Sequence, residues 1–224
     1  MGSRTRSTAF DVSVFDQRLD GRFEGTGVAA RYTRVLSRSS EGLFHLGGSL
    51  ALDDPRNGQT RWGTRPESGI ASVSLADTGT LTGVDRNQRA AIDALWLRGP
   101  WSLQAEHVLG QSLRSNAPDF HSDASYALLS WSPSGHQRSY KAGVVGSPKA
   151  AAGERPWELF LRYSRIDLDD GPVQGGRERD WSLGATWYPH PRVRLLANWT
   201  QVRSHRRGVT DDPQLLQFRV QIAY

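Results

Sequence analysis

Cysteine is absent from the 224 residues, which excludes disulfides, thiolate metal sites and cysteine nucleophiles. Lysine is nearly absent: Lys141 and Lys149 are the only two among 28 basic residues. The positive charge is therefore almost all arginine, whose planar fork suits carboxylates and phosphates. No apolar run approaches the roughly 18–20 residues that a membrane helix needs, and helical periodicity is scarce. Neither fact excludes a transmembrane barrel, whose alternating strands are polar on average. The start, Met1 to Arg6, lacks the apolar core of a signal peptide. The chain is thus expected to stay inside the cell or to be a mature or partial form. The six histidines include no H-E-x-x-H spacing, and the glycines form no phosphate loop. The reading that follows needs no cofactor and no metal.

What the chain does have is alternation, from about residue 8 onward. Leu216, Phe218, Val220, Ile222 and Tyr224 share one face of the last segment, and Gln217, Arg219 and Gln221 share the other. The pattern predicts ten main strands near 8–16, 25–36, 42–53, 86–98, 101–113, 123–132, 156–167, 179–188, 192–203 and 214–224. Residues 1–7 are expected to be a disordered stub, and 8–224 one β-barrel unit. Proline and glycine set tight turns at 97–101 and 188–192. Two connections are long and polar, about 54–85 and about 133–155, the first with a possible short strand near Ile70–Leu75.

A soluble β-sandwich also alternates, so the tryptophans decide. If strands run up and down from Tyr224, then Trp96, Trp101, Trp131, Trp157 and Trp187 fall at one side, with Tyr224. Trp181 and Trp199 fall at the other. Such girdles belong to barrels in membranes. The long 133–155 connection then lies unexpectedly with the short turns.

If the Leu and Trp faces contact lipid, the interior receives Arg31, His45, Asp53, Asp93, Gln104, Glu106, Glu158, Arg162, Arg194, Asn198, Arg219 and Gln221. Both signs of charge suit a hydrated pore, and equally a small barrel plugged by its own ion pairs. Loops add Arg56, Arg61, Arg65, Arg86, Arg177, Arg179, Arg203, Arg206 and Arg207, an arginine-lined mouth that would concentrate anions. A second reading is an outer-membrane hydrolase using His121 with Asp119 and Asp123. A third is a soluble β-sandwich binding module. Nucleic-acid binding ranks last, because the arginines are spread rather than gathered with aromatics on one open face.

Several short stretches, in order, carry a resemblance. They are Leu43-Phe44-His45-Leu46-Gly47, Arg65-Pro66-Glu67-Ser68, Asp77-Thr78-Gly79, Gly99-Pro100-Trp101-Ser102-Leu103-Gln104, Trp157-Glu158-Leu159, Arg162-Tyr163-Ser164-Arg165, Trp181-Ser182-Leu183-Gly184 and Arg192-Val193-Arg194-Leu195. With them the chain resembles the phosphate-selective porin O and P family of bacterial outer-membrane proteins. The resemblance implies a transmembrane antiparallel barrel of 16 strands, a homotrimer, and passage of phosphate and other small anions through a basic pore. With about ten strands here, it implies the C-terminal portion of such a barrel, with the leading strands and the main constricting loop absent and 54–85 as one long external loop. The C-terminal alternation ending in Tyr224 is similar to the signal read by the barrel-assembly machinery. Arg61 and Arg65 match the arginine pair before Pro-Glu in the family's long loop. The expected anion path is Arg31, Arg61, Arg65, Arg162, Arg194 and Arg219. The expected setting is the bacterial outer membrane.

Overall fold

The computed structural model describes residues 2–5, 7–16, 25–69, 72–151 and 153–223. Tyr224, expected in the aromatic girdle, and Ile70 and Ala71 lie outside them. The first strands are β1 (Gly2–Arg4), β2 (Thr8–Phe15), β3 (Gly25–Arg38) and β4 (Gly42–Pro55). Four two-residue pieces follow: β5 (Gln59–Thr60), β6 (Gly63–Thr64), β7 (Ala76–Asp77) and β8 (Leu81–Thr82). Then come β9 (Val84–Arg98), β10 (Trp101–Arg114), β11 (Phe120–Trp131), β12 (Arg138–Lys141) and β13 (Val144–Pro148). The last are β14 (Trp157–Asp170), β15 (Val173–His190), β16 (Val193–Arg206), β17 (Val209–Asp211) and β18 (Gln214–Ile222).

Twelve strands form one antiparallel sheet, in the order β1-β2-β3-β4-β9-β10-β11-β14-β15-β16, with β17 and β18 both pairing along β16. Among the described residues no pairing joins the β1–β2 edge to the β17–β18 edge, so the sheet is not closed. A sandwich needs two sheets face to face, and a single wide sheet stands in its place. All ten expected strands are present. The stub differs: Gly2–Arg4 pairs with β2, and Arg4 meets Asp11 at 3.0 Å.

Other differences lie at one end of the sheet. Residues 168–178 read as an irregular link, yet β14 and β15 run on to a turn at Gly171–Pro172. Cross-strand charge pairing keeps this polar stretch in the ladder: Arg177 Nε lies 2.8 Å from Asp167 and 3.6 Å from Asp169. The same extension leaves Trp181 and Trp199 in mid-strand rather than at strand ends. At the opposite end, β9 turns into β10 through Gly99 and Pro100, with Gly99 at φ +51°, a conformation that favours glycine.

The two faces of the sheet have opposite chemistry. One carries Leu50, Ile92, Leu183, Leu216 and Phe218, all well exposed. A contiguous exposed apolar face marks an interaction surface. On this face Trp101 stacks on Trp131 and Trp157 on Trp187, with ring centroids 5.6 and 5.5 Å apart. The other face is covered in part by the chain's own connections.

Candidate functional site

The 56–83 connection does not stand outside the sheet as expected. It folds onto the inner face. Its apolar residues pull it there: Ala76 and Leu81 bury with Val84 of β9, Phe120 of β11 and Leu168 of β14, with Trp62, Ile166 and Val173 around them. Trp62 Nε1 donates to Ser112 Oγ at 2.9 Å. Gly110 makes room for the indole: a Cβ there would lie 2.9 Å from the ring. Further along, Glu67 accepts from Arg162 and Ser164 of β14. Glu67 holds φ +42°, an uncommon backbone state for a non-glycine residue, and its two wall contacts fix it. The residues 72–75 of the expected short strand are not strand; β7 begins just after them.

Arg61 lies beside Asp77 within this connection, Nε donating at 2.8 Å. The Arg61 guanidinium, with the Gly79 N–H, holds the Asp77 carboxyl below its ordinary range. Asp77 is almost fully buried, whereas Arg61 remains half exposed.

The 133–155 connection, unexplained by pattern, is a hairpin (β12–β13) laid on the same inner face at the tight-turn end. Arg138 makes a two-point pair with Glu158, which also accepts from Tyr188 Oη at 3.1 Å and Ser130 Oγ at 3.2 Å. Tyr140 lies 3.0 Å from His45 Nδ1, and His45 Nε2 lies 3.0 Å from Asp93. The carboxylate can only accept, so Nε2 donates to it. Arg31 closes the chain on Asp93 at 2.9 Å. Outside the sheet, His136 holds the Glu154 carboxyl below its usual range at 2.9 Å.

The six expected anion-path arginines divide into two sets. Arg31, Arg61 and Arg162 are matched by Asp93, Asp77 and Glu67. Arg65, Arg194 and Arg219 have no carboxylate within 4 Å among the described residues. Arg65 touches only the Gly69 carbonyl at 3.4 Å, and Arg194 donates to Gln221. Arg194 and Arg219 lie on neighbouring strands, β16 and β18, in consecutive inner positions. The structure does not bring all six to one point.

Sequence reasoning passed over an acidic group. Glu178 and Asp180 lie buried on the inner face of β15, near Glu67, Glu106 and Arg162, around a hollow of about 160 Å³. Glu178 Oε2 and Asp180 Oδ1 have no hydrogen-bond partner. Extending the alternation from Trp181 backward would have found both. The supposed His121–Asp119–Asp123 group does not assemble. His121 Nδ1 lies 3.1 Å from Asp170, Asp119 accepts from Gln111 and the Arg114 backbone, and Asp123 pairs with Arg165.

Two comparisons bear on this arrangement. A family model described as phosphate-selective porin O and P matches residues 4–224. A protein of Caulobacter vibrioides, described as uncharacterized, is 26% identical over 166 residues, covering 70% of this chain and 33% of its own length. The chain therefore spans about a third of that relative.

Proposed function

The chain belongs to the phosphate-selective porin O and P family, and on that premise we propose that its sheet is part of the wall of an outer-membrane pore passing phosphate and other small anions by diffusion. The observation that carries this reading is the unneutralised charge of Arg65, Arg194 and Arg219 beside arginines already matched by carboxylates. Guanidinium groups with spare donors replace part of an anion's hydration shell weakly and at several places, so the ion enters and still leaves. The paired arginines do a different job: Arg162 holds the 56–83 connection to the wall through Glu67, Arg61 braces that connection internally through Asp77, and Arg31 backs the Asp93–His45–Tyr140 chain that meets the 133–155 hairpin. The outward Leu and Trp residues face lipid, with the five tryptophans of the tight-turn end as one girdle and Trp181 and Trp199 toward the other. Trimer formation and delivery by the assembly machinery through the last strand fit the family.

Charge reversal tests the assignment. Arg65→Glu and the pair Arg194→Glu/Arg219→Glu should each move the reversal potential toward cations in a KCl gradient. Arg61→Glu, placed against Asp77, should instead loosen the 56–83 connection and raise conductance. Unchanged selectivity in the first two would remove those arginines from the path.

A further inference from the structure

We propose that the outward face of β14, β15 and β16, just beyond the apolar band, binds the phosphates of a phosphorylated lipid headgroup. This rests on the outer-membrane reading above. Arg165, Arg179 and Arg203 are register partners on three adjacent strands, forming one straight row. Neighbouring strands lie about 4.8 Å apart, so the row spans roughly 10 Å. Like charges directly opposite on a sheet repel, and an arrangement of this kind needs a counter-charge. Asp123 supplies one for Arg165. Arg179 and Arg203 are exposed and have no carboxylate within 4 Å among the described residues. In the row beyond, Arg177 is already matched by Asp167, and His205 contacts Thr210 at 3.0 Å. Two arginine forks are thus left without an anion, side by side.

Their position selects the source of that anion. The row on the membrane side holds Tyr163 and Trp181, ring centroids 4.8 Å apart, followed by exposed Leu161 and Leu183 on the same face. Aromatic rings of this kind sit at headgroup level. A lipid whose acyl chains lie along Leu161 and Leu183 carries its phosphates to the height of Arg179 and Arg203. A free phosphate would gain nothing from that apolar continuation. Arginine binds phosphate through two parallel hydrogen bonds, which a row of forks can repeat.

The test uses the full chain refolded into phosphatidylcholine vesicles containing a little bisphosphorylated glycolipid or its dephosphorylated form. Lipid retained after extraction into mild detergent is counted by native mass spectrometry. The phosphorylated form should be retained preferentially, and Arg179→Gln/Arg203→Gln should weaken retention about thirtyfold, about fivefold for each arginine near a membrane surface. Arg192→Gln, at the opposite rim, should leave it unchanged. If the double variant fails to refold, Arg203→Gln alone should show the fivefold loss. Equal retention of the two lipids, or by wild type and variant, overturns the proposal. So does displacement by excess inorganic phosphate, which would mark a free-anion site. Failure of the wild-type chain to enter vesicles at all would overturn the membrane reading itself.

Discussion

Replacing Glu158 by Gln should release the 133–155 hairpin from the inner wall while leaving the sheet intact. Glu158 is the point where the hairpin is tied down: Arg138 grips both its oxygens, and Tyr188 and Ser130 complete its shell. Glu158 is 3% exposed and the Arg138 side chain 20%. Breaking a fully buried ion pair costs about 3–5 kcal/mol, because the partner is left charged and dry. Arg138 regains some water on release, and Gln still accepts from Tyr188, so about 2–3 kcal/mol is expected here. The local opening constant should therefore rise about 30- to 150-fold. Hydrogen exchange on the detergent-refolded chain reads this directly. Amides of 138–148 should exchange faster by that factor, while those of β10 and β15 stay protected. Unchanged exchange in 138–148 would show that the hairpin is held by other contacts and that the Arg138–Glu158 pair is not its anchor. Loss of protection throughout would show that Glu158 supports the sheet rather than the hairpin.

Asp77 should make the 56–83 connection acid-sensitive. Its carboxyl is held below the ordinary 3.8 by Arg61, so its contribution is complete above that value and is lost as pH falls through the lowered one; pepsin cleavage within 56–69 should appear there, and Asp77→Asn should abolish the pH step. Glu178→Gln with Asp180→Asn should raise the thermal midpoint by an amount worth about 1–3 kcal/mol, since Glu178 Oε2 and Asp180 Oδ1 are buried without a partner and the amides cannot take on charge beside Glu67. A lowered midpoint would mean that their charge is balanced by a group not yet identified.

The strands were legible because a half-buried sheet imposes a period of two, and Leu216 to Ile222 or Trp181 to Trp187 display it without ambiguity. Strand length was less legible. Beyond the aromatic row the outward residues turn polar, as in Arg165, Asp167, Arg177 and Arg203, and alternation of hydrophobicity fades although hydrogen bonding continues. The inward side chains followed from the same period, which put His45, Asp93, Glu158 and Arg162 where they stand. Their partners did not follow. Tyr140, Arg138, Glu67 and Asp77 come from connections, and no periodicity says which way a connection folds. The small apolar group of Trp62, Ala76 and Leu81 was the available signal that residues 56–83 turn inward, since an external loop has no use for it. That Arg61 and Arg162 are matched depended on those folded connections.

The most direct test of the central claim is the reversal potential of the refolded chain in a planar bilayer under a KCl gradient. Stable current steps with a potential toward the chloride side are expected, from arginines unmatched on the inner face. Steps with a cation-side potential, or membrane insertion without any steps, would contradict an anion path built by this chain.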